Sequence, residues 1–347
     1  MTADTAPLGI DRPGVDAWLA AHVPGAVLPF TYEQIAGGGS NLTFRVVDGQ
    51  GQQWALRRPP IGPILATAHD MGREVRIMSA LLPSPVAVPA CAAFCQDPEV
   101  TGAPFYVMNF VDGLVIRNRA STEAMTRDDA ERATDSLIDT QVALHTLDLA
   151  AYGLDDLARH GDYVGRQLTR WRRQVEVGRT RDAPLFFELH KRLVARKPAE
   201  QVPPGLAHGD YRFDNVVLNE QFSVAAVLDW ELCTIGDPIA DFAWSLEYWA
   251  NKSDPVSFLS DPPTASDIFV TRDEVVDRYR SRCGFEVGDL SYYRVFSWWK
   301  QACIAEGALG RQIEAARRGS TGRDPAETAR HIDALLAHAA DMAVGVL

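Results

Sequence analysis

Three residues of this chain, Asp210, Asn215 and Asp229, have the types and spacing that phosphoryl chemistry demands. They lie in Ala207-His208-Gly209-Asp210-Tyr211-Arg212-Phe213-Asp214-Asn215 and, fourteen residues on, in Val227-Leu228-Asp229-Trp230-Glu231. Moving a phosphoryl group asks little covalent work of a protein; it needs positioning, and neutralisation of charge by one or two Mg²⁺ ions. One carboxylate must face the acceptor hydroxyl and take its proton, while an amide oxygen and a second carboxylate hold the hard, oxygen-seeking metal. Asp210 suits the first task, Asn215 and Asp229 the second.

Residues so far apart meet only if the chain doubles back. Segments 215–219 and 223–229 read as strands joined by a polar turn at 219–221. A hairpin pairs its open ends, so Asn215 and Asp229 are expected side by side, with Asp210 on the loop that leads in.

His-Gly-Asp with an Asn five residues after the Asp, then a strand ending in Asp-Trp-Glu, resembles the aminoglycoside phosphotransferase family, which is similar in fold to protein kinases. The likeness runs from about Tyr32 to the C-terminal helices. Its wording in Gly37-Gly38-Gly39-Ser40-Asn41, Leu56-Arg57-Arg58-Pro59-Pro60, Gly102-Ala103-Pro104-Phe105-Tyr106-Val107-Met108 and the run from Asp229 to Pro238 resembles most the subgroup fused to, or encoded beside, acyl-CoA dehydrogenases. The resemblance implies an α+β, protein-kinase-like, two-lobed fold, with Asp210 as base and Asn215 and Asp229 as metal ligands. It puts Arg212 where protein kinases have a phosphate-facing Lys, and it implies ATP, with GTP not excluded, and Mg²⁺ as cofactors. The family places a Lys at the end of the third strand to touch the phosphates and pair with a helix Glu; here Arg57 stands in that place and Glu74 is its expected partner. Arg keeps the charge but differs in shape and reach.

The glycines before Asn41 fall between two expected strands, where missing side chains let backbone N–H groups approach phosphate oxygens; Gly38, Gly39, Ser40 and Asn41 are the expected contacts. No Gly-x-x-x-x-Gly-Lys-Ser/Thr is present, which disfavours a P-loop enzyme. Residues 106–113 fit an inter-lobe hinge, with backbone groups near Asn109 and Val111 meeting the adenine edge. His208 is expected to brace the loop, Glu231 to lie near the metals, and Asp237 and Asp241 to cap and anchor the helix that starts at Pro238.

The elements that must hold these groups change character along the chain. Segments 32–36, 43–48 and 53–58 read as an antiparallel meander, 68–82 as a helix with Met71, Val75, Met78 and Leu82 on one face, and 90–95 and 104–110 as two more strands. Beyond residue 122 the apolar period is helical, over 122–147, 163–177, 185–195, 238–250, 272–283, 292–317 and 326–344, interrupted only by the hairpin around 210–229. A nucleotide-binding lobe over 1–111 and a catalytic, acceptor-binding lobe over 112–347 follow, with the nucleotide between them.

Composition narrows the partners. With 347 residues, 46% hydrophobic and 23% charged, the chain can build two cores; its net charge of −12 disfavours nucleic acid and anionic membranes. No apolar run is long enough to span a bilayer and no signal peptide is evident, so a cytoplasmic location is expected. The five cysteines match no disulfide or zinc pattern. In this acidic chain, Arg166, Arg170 and Arg173 fall on one helical face, which suits an anionic acceptor or a solvated surface. Trp244, Trp249, Trp298 and Trp299 are candidate walls of the acceptor site or packing groups of the helices. The expected activity is phosphorylation of a hydroxyl on a small molecule; the resemblance to the dehydrogenase-associated subgroup implies a hydroxyacyl-CoA-type metabolite. An aminoglycoside acceptor, and a nucleotide-binding pseudokinase that regulates a partner, stand as alternatives.

Overall fold

The computed structural model describes residues 7, 9–36, 41–61, 70–157, 161–317 and 324–347. After α1 (Arg12–His22) come β1 (Thr31–Ala36), β2 (Leu42–Val47), β3 (Gln53–Arg58), α2 (Met71–Leu81), β4 (Cys91–Cys95) and β5 (Phe105–Asn109). The strands form an antiparallel sheet in the order β1-β2-β3-β5-β4. Phe44, Val46, Trp54, Leu56, Phe105 and Val107 alternate onto one face and meet Val15 and Leu19 of α1. That helix was not among the expected elements, because Pro13 and Gly14 interrupt its start and only those two residues carry its buried stripe. On the other side, Asp70 caps α2 by accepting from the Arg73 N–H at 3.0 Å. Leu82, expected on the buried face of α2, lies past its end and is exposed; Ile77 and Leu81 fill the core instead.

Beyond β5 the chain crosses to the helical part. Leu114 exchanges two 2.8 Å backbone hydrogen bonds with Leu218, which ties the crossing segment to the hairpin. There follow α3 (Arg127–His145), α4 (Tyr163–Gly178), α5 (Leu185–Ala195), β6 (Gly205–Ala207), β7 (Val216–Leu218), β8 (Val224–Val227), β9 (Thr234–Gly236), α6 (Pro238–Glu247), α7 (Arg272–Arg282), α8 (Ser291–Arg317) and α9 (Pro325–Met342). The first of these boundaries has a local cause: Thr126 and Asp129 form a reciprocal capping box, so α3 starts at Arg127 rather than near 122.

The hairpin is shorter than expected. Strands β7 and β8 pair through Val216↔Val227, while Asn215 ends a 3-10 turn and Asp229 sits in left-handed backbone at φ 62°. One more hydrogen bond, from Leu228 N–H to Asn215 C=O at 2.8 Å, carries the pairing past the strand ends and keeps both site residues at the open end. A second small sheet, β6 with β9, also interrupts the helices, correcting the expectation of a lone hairpin. Three-residue strands leave too little alternation to be seen in sequence.

The helical core is aromatic. Phe242 and Tyr279 stack at 3.8 Å, and Trp298 and Trp299, both buried, donate to Glu247 Oε2 and to Phe186 C=O at 2.8 and 2.9 Å. The tryptophans are packing groups first. All five cysteines are free thiols, and no described helix is long and apolar enough to cross a membrane.

Strand β6 aims the loop that follows it, and it runs hard against the end of α3: a Cβ on Gly205 would stand 2.4 Å from the His145 carbonyl oxygen. Replacing Gly205 by Ala is therefore expected to cost about 1–3 kcal/mol of stability, read as a lowered urea midpoint at unchanged slope.

Candidate active site

The loop from His208 to Asn215 is held from below by one buried carboxylate. Asp241, in the first turn of α6, accepts the backbone N–H of His208 at 3.1 Å and of Gly209 at 2.8 Å. His145 Nε2 donates to the same group at 3.1 Å, and the Tyr279 hydroxyl donates to His145 Nδ1 at 2.6 Å. Burial pushes the Asp241 carboxyl up, but His145, His208 and the Gly209 N–H outweigh it and leave it below its ordinary value. Gly209 turns the chain at φ 85°, where a side chain would also strike Leu232. His208 then braces the loop, Nε2 lying 2.9 Å from the Leu228 carbonyl. Asp237 caps α6 as expected; Asp241 instead anchors the loop.

Asp210 is thereby set at the surface of the cleft, half-buried, with each oxygen engaged. The Tyr248 hydroxyl donates to Oδ1 at 2.8 Å; Arg212 Nε and Asn215 Nδ2 donate to Oδ2 at 3.2 and 3.0 Å. Burial would raise this carboxyl, yet the Arg212 charge and the Tyr248 hydroxyl win and hold it below its ordinary value. Arg212 also pairs with Asp214 at 2.7 Å and lies over the Tyr248 ring at 4.8 Å. Asn215 spends its amide nitrogen on Asp210, at the carbonyl (2.7 Å) and at Oδ2, which leaves its side-chain oxygen for a metal.

Facing this loop is a cross-lobe ionic cluster. Arg57 of β3 pairs with Glu74 of α2 at 3.2 Å, bonds Asp229, and lies 3.8 Å from Glu231. Tyr106 donates to Glu74 Oε2 at 2.9 Å, and the Asn41 amide bridges Glu74 and Glu231 at 3.0 Å each. Three carboxylates thus surround one guanidinium. Burial and then the neighbouring Asp229 charge push Glu231 up to about 8, and burial raises Glu74. The buried Asn41 Oδ1 has no hydrogen-bond partner among the described residues. The pair expected from the sequence, Arg57 with Glu74, is present; the reach of Arg57 to Asp229 was not anticipated.

Between the lobes lies a cleft of about 570 Å³, lined by Ala55, Arg57, Met108, Val111, Asn215, Val217, Leu228 and Asp229 among others. Apolar residues such as Ala55, Met108 and Val217 together with the polar Arg57, Asn215 and Asp229 suit a purine base and its phosphates. The donor set of Asn215 and Asp229, a neutral amide oxygen and a carboxylate, is what Mg²⁺ accepts. Asn109 also lines the cleft, but its N–H is spent on Ala90 C=O at 2.9 Å and cannot serve the base. Gly38, Gly39 and Ser40 lie outside the described residues. Arg166, Arg170 and Arg173 share an open groove of about 490 Å³ along α4, with Arg170 over the Trp171 ring. A mostly apolar cavity behind the loop, walled by Leu137, Phe242, Leu246 and Trp249, also has Arg212, Asp214 and Tyr248 in its lining.

Comparison with known proteins agrees with this geometry. Residues 31–260 match the model of the phosphotransferase enzyme family. The chain belongs to that family. It is 32% identical over 312 residues to acyl-CoA dehydrogenase family member 10 of Mus musculus, covering 88% of this chain but only 28% of that protein. A crystal structure from Ralstonia eutropha, described as a candidate aminoglycoside phosphotransferase, is 29% identical with a TM-score of 0.78, covering 96% of this chain and 98% of that one. A choline kinase from Cryptosporidium parvum shares the fold at 13% identity, with a TM-score of 0.64 and coverage of 97% and 96%.

Sequence reasoning missed two groups of this phosphotransferase site. Tyr248 stands 38 residues beyond Asp210, at the end of α6, with no motif to mark it. Asp241 was noticed, but only contact with the loop shows what it anchors. Because the Tyr248 hydrogen bond favours ionised Asp210, Tyr248→Phe is expected to move the acid limb of kcat/KM upward in pH, while wild type keeps that limb below the ordinary aspartate value.

Proposed function

We propose that this chain transfers the terminal phosphoryl group of ATP, with Mg²⁺, to a hydroxyl of a small anionic molecule, a hydroxyacyl-CoA being the foremost case. The observation that carries the proposal is the convergence of Asp210, Asn215 and Asp229: Asn215 and Asp229 line the interlobe cleft, and Asn215 is hydrogen-bonded to Asp210. Asp210, ionised and oriented by Tyr248 and Arg212, faces the acceptor hydroxyl and takes its proton late in transfer. Asn215 and Asp229 hold Mg²⁺, which when bound neutralises phosphate charge. Arg57 steadies the phosphates, and Arg212 adds charge near the transferred group.

The acceptor class follows from sign. The groove beside α4 carries three arginines, none ion-paired with a carboxylate among the described residues, and it favours a phosphate- or carboxylate-bearing acceptor over a polycationic aminoglycoside. The relationship to acyl-CoA dehydrogenase family members points the same way. One observation favours a second reading, a regulatory pseudokinase: Arg57 already occupies the Asp229 carboxylate that a metal would need.

Turnover separates these readings. Incubation with ATP or GTP and Mg²⁺ across hydroxyacyl-CoA thioesters, free hydroxy acids and aminoglycosides is expected to consume ATP with the thioesters, and Asp210→Asn to lower kcat by about 10²–10⁴-fold. Nucleotide and metal binding without phosphorylation of any acceptor would transfer the case to the regulatory reading; preference for aminoglycosides would overturn the anionic acceptor.

A further inference from the structure

The chain has four lysines, Lys191, Lys197, Lys252 and Lys300. The first three are exposed; Lys300, midway along α8, is only 4% exposed. Its ammonium lies 3.7 Å from the centroid of the Trp244 ring and has no hydrogen bond or ion pair among the described residues. Trp244 is itself 3% exposed, and its indole N–H has no acceptor among the described residues either. The indole N–H is thus buried with nothing to receive it, and the ammonium over its ring has no acceptor among the described residues.

The nearby carboxylates explain neither donor. Asp241 is committed to the catalytic loop and His145, and Glu247 to Arg294 and the Trp298 indole. A cation on a side chain this little exposed, with no carboxylate partner, adds nothing to packing, so packing alone gives no reason for a lysine here. Its position does. The Trp244 ring meets the Tyr248 ring edge-on at 5.8 Å, and Tyr248 holds Asp210. Burial lowers the ammonium to about 8, Asp241 and Asp210 oppose that, and Arg170 from the groove on α4 adds to it. Lys300 thus stands within the electrostatic reach of both Asp210 and Arg170 of the basic groove.

The geometry points to Lys300 as the anchor of the acceptor: its ammonium, held on the Trp244 face and with the indole N–H beside it, donates to a carbonyl or carboxylate oxygen a few bonds from the hydroxyl that Asp210 faces. This assignment rests on the proposed phosphotransfer to a hydroxyl. It limits acceptors to hydroxy compounds with such an oxygen and excludes those that place an ammonium there.

The test uses the full chain, with Lys300→Met and Lys300→Arg. With 3-hydroxybutyryl-CoA and free 3-hydroxybutyrate as probes, Lys300→Met is expected to raise the acceptor KM at least about tenfold, the loss of a charge-assisted hydrogen bond. Lys300→Arg should recover part of that loss, and ADP affinity by calorimetry should hold in both. Because an unpaired charge is removed, the melting temperature of Lys300→Met should stay level or rise; a marked fall would make Lys300 structural and overturn the assignment. An unchanged KM would overturn it too. A second measurement needs no turnover: in lysine-labelled protein, four side-chain NMR signals are expected, and the one absent from Lys300→Met should shift alone when the CoA thioester is added. If that signal moves while no acceptor is phosphorylated, the anchor stands and the phosphotransfer reading falls; if it stays, the anchor falls whatever the turnover.

Discussion

Nearly every feature of the site depends on the buried Asp241 carboxylate and the two backbone N–H groups it receives from His208 and Gly209. A charge so deeply buried persists only when several donors meet it, and here they come from β6's loop and from α3. That convergence fixes where the loop leaves the core. His208 then reaches across to Leu228, so the loop and the segment carrying Asp229 share one position. Asp210, Asn215 and Asp229 are set relative to one another by groups that touch no substrate.

Across the cleft, charge is balanced differently. Arg57 is a fork, and its nitrogens address Glu74, Asp229 and Glu231 together, where an ammonium would act as a single point. Asn41 links Glu74 to Glu231 and so joins the sheet, α2 and the catalytic segment. Arg73 adds a further tie from α2, donating to the Cys233 carbonyl at 2.5 Å. The excess of carboxylate around one guanidinium is expressed in the raised Glu231, whose charged form is disfavoured by burial and by Asp229.

The sequence was legible where period and motif are local. The β3 strand and α5 emerge with the limits read from apolar pattern alone, and the pairing of Arg57 with Glu74 follows the expected geometry. It was illegible where an element is too short or its role is supplied from afar. Strands β6 and β9 are three residues each, and α1 shows its buried face only against the sheet. Tyr248 and Lys300 have no neighbours in sequence that reveal them, since their partners lie far along the chain, Asp210 on the catalytic loop and Trp244 on α6.

By itself, then, the order of residues determined the chemistry: which oxygens and cations are available, and the short spacings, five and fourteen, that a loop and a hairpin convert into proximity. Tertiary structure alone decided what those groups meet. Hydrogen bonds and ion pairs act over a few ångströms, and bringing Asp241 under the loop, Arg57 onto Asp229 and Lys300 behind Trp244 takes the packing of helices and sheet that are distant along the chain.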